Sequence, residues 1–275
     1  MKTRIISGAV MAIIVAGVLA LSTVFPIAVY IGLAICAGIA AYELLWSTGA
    51  VRVISGVAIA VAYMALTVFT QLGKSNQARF YTLTCIYVAA LIVIALLRHE
   101  NLPAANFGFA VGLPIIVSCG FCALCKIIVP ANGDNGIFYF IFLFNFASIA
   151  DMGAYFVGSA IGKHKLAPVI SPKKSIEGAV GGMVCSLLFT VIFVLGFNHF
   201  FNTSFVLWKW LVFTPVFVFI GIVGDLIASY IKRSFGIKDY GNLIPGHGGI
   251  LDRMDSILLV APFLQLFIEL AGVTK

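Results

Sequence analysis

Residues 207–231 read LWKWLVFTPVFVFIGIVGDLIASYI, residues 232–253 read KRSFGIKDYGNLIPGHGGILDR, and residues 254–272 read MDSILLVAPFLQLFIELAG. The outer two runs are each long enough to cross a bilayer, whose hydrocarbon core takes about 20 apolar helical residues. The segment between them is polar and rich in glycine. From Ser229 to Asp255 the chain holds four of its 17 Lys and Arg, three of its ten Asp and Glu, and one of its four His. Such a loop between two spans indicates membrane-crossing helices with chemistry concentrated where they emerge. Working outward, interruptions such as Ser47-Thr-Gly and Arg98-His-Glu-Asn-Leu-Pro divide the chain into nine candidate spans: 5–22, 26–46, 51–71, 79–97, 106–129, 136–160, 178–197, 207–231 and 254–272. The expected fold is all-α: a polytopic integral membrane protein of about nine transmembrane helices, with a polar cavity open to the cytoplasmic side. Residues 1–130 are expected to be scaffold helices and 131–275 a catalytic region, packed as one continuous membrane domain.

Composition agrees. Hydrophobic residues make up 62% of the chain and charged residues 10%, against about 25% charged in soluble domains. The mean hydropathy of +1.12 leaves too little polar surface for a soluble core or a separate soluble domain. The net charge of +7 lies in loops between spans, so the expected partners are the lipid bilayer and a phosphate-bearing lipid or nucleotide, not nucleic acid. All six cysteines fall in apolar runs. Cys119, Cys122 and Cys125 share a helical spacing, but no His or carboxylate lies near them in sequence, so they read as small packing residues. Met1-Lys2-Thr3-Arg4 and the apolar run after it resemble a signal peptide. A second run starts after Pro26 with almost no gap and no convincing cleavage site, so the first run is expected to be a retained span.

Lys and Arg placement orients the chain. With nine spans and the N-terminus inside, 12 of the 17 basic residues fall on the cytoplasmic face. Segments 161–177 and 232–253 are separated by two spans, so they share a face whatever the N-terminal count.

Three groups of residues on that face suit chemistry. The first is the 232–253 segment. The second is Ser171-Pro-Lys173-Lys174-Ser175-Ile-Glu177-Gly178. The third comprises carboxylates within or at the ends of apolar runs: Asp151, Asp225, Asp252 and Asp255. Asp225 lies about 10 Å below Lys232 on a regular helix and shares a face with Ser229 and Lys232. Asp151 lies about 16 Å below Gly162. A carboxylate at such depth calls for a polar cavity and a partner, or else for a buried pair that locks two helices. Carboxylates with few other ligands near phosphate-binding cations suit Mg²⁺, and the absence of accompanying Cys or a second His argues against zinc. Lys173, Lys174, Lys232, Arg233, Lys238 and Arg253 exceed what topology needs and suit phosphate. Gly246, Gly248 and Gly249 around His247 let backbone N–H groups approach an anion. Ser171-Pro172 is expected to begin a turn, and Ser175 to Glu177 equally fit a helix cap.

At these residues the sequence resembles the phosphatidate cytidylyltransferases, also called CDP-diacylglycerol synthases. The C-terminal signature of that family is matched without a gap from Ser229 to Asp255. Its Ser-Pro-Lys-Lys-Ser/Thr-x-Glu-Gly element is matched from Ser171 to Gly178, and its Asp-x-x-Ala-Tyr-x-x-Gly element by Asp151, Ala154, Tyr155 and Gly158. The resemblance implies the reaction CTP + phosphatidate → CDP-diacylglycerol + pyrophosphate with Mg²⁺, a second cation being allowed. The short chain suggests a bacterial cytoplasmic membrane, and a homodimer is allowed. Asp225 and Asp252 are then expected to bind metal, with Asp255 and Asp151 as further ligands. Lys232, Arg253 and His247 would act at the reacting phosphates. Ser171, Lys173, Lys174, Ser175, Glu177, Ser229, Arg233, Lys238, Asp239, Gly248 and Gly249 would bind substrate. A CTP-dependent lipid kinase of the dolichol kinase type and an ion or lipid-phosphate transporter are the alternatives. The first differs in its product, and the second is disfavoured because no repeated halves are visible.

Overall fold

The computed structural model describes residues 25–73, 76–98, 100, 102–129 and 135–271, together with 8, 10, 13 and 15–20 near the N-terminus. The helices are α1 (Ile27–Tyr42), α2 (Ile54–Phe69), α3 (Asn76–Leu97), α4 (Ala104–Ile128), α5 (Gly136–Phe144), α6 (Ala150–Ile161), α7 (Ile176–Phe201), α8 (Leu207–Ser234) and α9 (Leu251–Ala271). Two wide π-helical turns, Glu43–Ser47 and Asn145–Ile149, extend α1 and join α5 to α6. Among the described residues seven helices are long and apolar enough to cross a membrane, in keeping with an all-α polytopic membrane protein. The expected span 51–71 is helical only over the 16 residues of α2, about 24 Å at 1.5 Å per residue, because Val51–Val53 leave the helical path. The expected span 5–22 lies mostly outside the described residues.

The 161–177 loop is not irregular. Strand β1 (Lys165–Ala167) pairs antiparallel with β2 (Ser171–Ser175), with Lys165 opposite Ser175 and Ala167 opposite Ser171. The turn therefore precedes Ser171, at 168–170, instead of beginning there as the Ser-Pro pair suggests. Pro172 fits a strand with a single neighbour, because its missing N–H breaks no ladder bond on the open edge.

The chain divides into two compact units. The first comprises residues up to Gly136 together with Lys232–Met254. Here α1 packs most extensively on α2 through a face of small residues, Ala34, Ala37, Gly38, Ala40 and Ala41. Small side chains let membrane helices approach closely, where dispersion and hydrogen bonds replace the hydrophobic effect as the driving force. Tyr63 and Tyr87 stack at 4.2 Å, and the Tyr87 hydroxyl donates to the Ala110 carbonyl at 2.5 Å. Cys122 is buried with its Sγ 3.4 Å from the Thr67 carbonyl and Cys125 is fully enclosed, as expected of packing residues, whereas Cys119 is exposed.

The second unit comprises Ile137–Ile231 and Asp255–Lys275. Its tightest contact is α6 on α7. Gly178, Gly181, Gly182 and Cys185 on α7 meet Gly153, Ala154, Val157 and Gly158 on α6, and a Cβ at Gly181 would collide with Val157. A buried polar group ties the second π turn to α7 and α8. Ser186 donates to the Asn145 Oδ1 at 3.1 Å, the Asn145 amide donates to Thr190 at 3.3 Å, and Thr190 and Thr214 lie 3.1 Å apart. Helix α7 ends at Asn202 in the left-handed conformation, where Asn198 accepts the Phe205 N–H and the Thr203 hydroxyl. An aromatic cluster of Phe138, Phe142, Phe205 and Trp210 fills the space beside that end.

Candidate active site

In the second unit the site is built around Lys174. On β2 Lys173 is exposed, whereas Lys174 is half-buried. The Lys174 Nζ lies 2.6 Å from Asp225 Oδ2 on α8 and 4.0 Å from Asp151 Oδ1 in the first turn of α6. One ammonium thus sits between two carboxylates that are 74 residues apart in sequence. The side chains of Lys174 and Asp225 are about three-quarters covered, whereas that of Asp151 is 52% exposed. Partial burial strengthens such contacts relative to water and makes each charge depend on the others.

Next to this group the hairpin is fixed by two side chains of the Ser175–Gly178 element. Ser175 is the N-cap of α7, its hydroxyl accepting the Gly178 N–H at 3.1 Å. Glu177 lies in the first turn of the same helix. Its carboxylate accepts the Lys163 and His164 N–H groups and meets His164 Nδ1 at 2.6 Å, which ties the entry of the hairpin to α7. Ser171 is half-buried at the start of β2, and Ser229 is half-buried on α8. Asp255 accepts the Ser256 N–H at 2.7 Å in the first turns of α9.

In the first unit the site is built around Asp252. Its Oδ1 accepts from the Lys232 Nζ at 2.8 Å, and its Oδ2 accepts the Tyr240 and Gly249 N–H groups at 2.8 and 3.0 Å. Both partners of the ion pair are buried. The Lys232 ammonium also lies 5.2 Å from the centre of the Tyr240 ring. Helix α8 ends just beyond, where the Ile237 N–H bonds to the Lys232 carbonyl and the Gly236 N–H to the Arg233 carbonyl, with Gly236 at φ 69°. This Schellman closure turns the chain sharply from the helix into the loop. Arg233 is exposed and donates to the Ile237 carbonyl at 3.0 Å.

Beyond that closure the loop makes a tight turn, with Ile244 and Gly248 bridged and Gly246 and Gly248 at positive φ. It presents His247 to a pocket of about 560 Å³, lined by Lys238, Asp239, Asn242, His247, Gly248 and Arg253 among others. Three basic or imidazole side chains on one concave wall suit a polyphosphate. The amides after the glycines, by contrast, are taken by carboxylates of the protein. Gly249 N–H goes to Asp252, and the Ile250 and Leu251 N–H groups go to Glu43. Sequence reasoning passed over Glu43, which carries no local motif. The available signal was a lone carboxylate inside a membrane-length apolar run, which by default marks a functional position.

The expected residues therefore form two groups, Lys174 with Asp225 and Asp151, and Lys232 with Asp252 beside the His247–Arg253 pocket. Among the described residues no set of three or more His, Cys, Asp or Glu is arranged to hold a metal ion on its own.

Comparison with known proteins agrees with this chemistry. The profile described as "Cytidylyltransferase family" matches residues 2–271. A phosphatidate cytidylyltransferase of Staphylococcus saprophyticus subsp. saprophyticus is 38% identical over 173 residues, covering 63% of this chain and 65% of that protein. Those of Staphylococcus haemolyticus and Staphylococcus aureus are 37% and 36% identical over 185 residues, each covering 66% of this chain and 70% of the relative. The aligned stretches thus span about two thirds of the length of these relatives. Matched along nearly its whole length, this membrane chain belongs to the cytidylyltransferase family.

Proposed function

We propose that the protein transfers the cytidylyl group of CTP to phosphatidate, forming CDP-diacylglycerol and releasing pyrophosphate. The family match, and the name carried by its relatives, supports the reaction. The observation that carries the chemistry is Lys174 between Asp225 and Asp151. A phosphatidate oxygen attacks the α-phosphorus of CTP, the bond from that phosphorus to the α,β-bridging oxygen breaks, and pyrophosphate leaves. No covalent enzyme intermediate is needed. The demand on the protein is to bring two polyanions together and to stabilise charge developing on the leaving group.

The basic residues answer that demand. Lys238, Arg253 and His247 face one pocket and suit the triphosphate. Lys174 would meet a phosphate oxygen if Asp225 and Asp151 held a cation. A divalent cation fits the donors present, because Mg²⁺ takes one or two carboxylates and completes its shell with phosphate oxygens and water. Asp225 with Asp151 offers that set in the second unit. In the first unit Asp252 offers one carboxylate, held by Lys232 and two amides. Asp255, in the second unit, is a further acidic group on α9. When bound, Mg²⁺ supplies Lewis-acid neutralisation of the phosphates. The Lys and Arg bias supports a site on the cytoplasmic side, and the bacterial relatives support a bacterial inner membrane as its place.

The test is release of pyrophosphate by the purified protein with CTP, phosphatidate and Mg²⁺. Activity is expected to vanish with chelator and in Asp225→Asn, which keeps size and loses charge. Release of CDP instead would identify a lipid kinase. No CTP consumption in the wild type, or wild-type activity in Asp225→Asn at saturating Mg²⁺, would remove this reading of the site.

A further inference from the structure

Residues 240–251 carry His247 to the pocket and lead into Asp252 and Arg253. The segment has little secondary structure of its own beyond the Ile244–Gly248 turn. Two carboxylates fix its backbone from different directions. Asp252 holds the Tyr240 and Gly249 N–H groups. The other is Glu43, 207 residues away from Ile250 in sequence, on the π turn that extends α1.

Glu43 is 3% exposed. Its Oε1 accepts the Ile250 N–H at 3.1 Å and its Oε2 accepts the Leu251 N–H at 2.8 Å. These amides open α9 and have no partner within the helix. The surrounding backbone is shaped to the carboxylate: a Cβ at Gly241 would lie 2.5 Å from Oε1, and one at Gly249 would collide with both oxygens. A buried carboxylate bound by amides, on a π turn inside an apolar helix, is costly to maintain unless what it holds matters. Helix α1 has its own extensive packing on α2, so it needs no bond from Glu43 to keep its place in the first unit.

We propose that Glu43 is a positioning residue for cytidylyl transfer. It acts through the backbone of residues 249–251, keeping His247, Asp252 and Arg253 in the arrangement that the reacting phosphates require. The inference rests on the reading under Proposed function.

The experiment compares Glu43→Gln with Thr48→Val in the purified full-length protein. Gln keeps the shape but turns one donor toward an N–H donor, so one of the two bonds is lost. Thr48 is buried in the same stretch, and its hydroxyl donates to the Leu44 carbonyl at 2.7 Å, so Thr48→Val reports a purely structural loss. Per folded protein, Glu43→Gln is expected to lower kcat about tenfold or more with KM for CTP changed less than about threefold, while Thr48→Val stays within about twofold of wild type. Amide hydrogen exchange at 249–251 is expected to be at least about tenfold faster in Glu43→Gln, with α1 and α2 unchanged. Unchanged kcat in Glu43→Gln, an equal loss in Thr48→Val, or wild-type exchange at 249–251 would each overturn the proposal. Absence of pyrophosphate release in the wild type would instead remove the reading of the reaction, with the exchange measurement still judging whether Glu43 holds the segment.

Discussion

Lys174 shows what a single side chain decides here. Its ammonium sits 2.6 Å from Asp225 and 4.0 Å from Asp151, whereas its neighbour Lys173 points outward. If Lys174 exists only to orient the chain in the membrane, losing one of many cytoplasmic cations changes nothing. If it offsets substrate charge beside two carboxylates, Lys174→Gln removes a charge-assisted contact of about 1.5–3 kcal/mol, or roughly 10- to 100-fold in kcat/KM. We expect at least tenfold for CTP or phosphatidate, with insertion unchanged, measured by steady-state pyrophosphate release. Wild-type kcat/KM for both substrates would assign Lys174 to topology. The Lys-Lys pair is legible in the sequence as a candidate phosphate-binding element. Which of the two lysines turns inward is not, because that follows from how the hairpin packs on α6 and α7, and the segment reads as an ordinary loop. Glu43 was equally hidden, since its partners are backbone amides that no side-chain pattern announces.

The elements that carry these residues depend on close backbone approach. Helices α6 and α7 meet through glycines, and a Cβ at Gly182 would collide with the Ala150 carbonyl. That contact lies beside Asp151, one residue further on. Gly182→Leu forces the helices apart at a cost of about 1–3 kcal/mol or more. It is expected to lower both the melting temperature in detergent and the activity. Gly196 lies on the same helix with open space around it, so Gly196→Leu is expected to leave both within error. Equal effects in a thermal-shift series would argue against the glycine contact as the organising feature. The spans 136–160 and 26–46 were legible as apolar runs. The π turns inside them were not: one extra residue per turn leaves hydropathy unaltered, yet it changes the face on which the following residues, Asp151 among them, emerge.

For the whole molecule, chain parity is the strongest constraint. Two membrane-length helices, α7 and α8, separate the hairpin from the 232–253 segment, so parity predicts that both segments face one side of the membrane. Single cysteines at Lys165 and Lys238 are expected to react with an impermeant thiol reagent from the same side, in a background lacking the native cysteines. Labelling from opposite sides would sink the proposed topology. The sequence by itself determined the class of protein, since a bilayer demands runs of about 20 apolar residues and leaves charge only where it has work to do. It also made the candidate site residues legible, because Lys, Arg and carboxylates this sparse stand out against an apolar chain. Only the tertiary structure decided the partners: Asp252 with Lys232, Asp225 with Lys174, and Glu43 with the first amides of α9. Those pairings join residues up to 208 apart, and they arise from how small-residue faces and irregular turns bring helices together, which local periodicity does not encode.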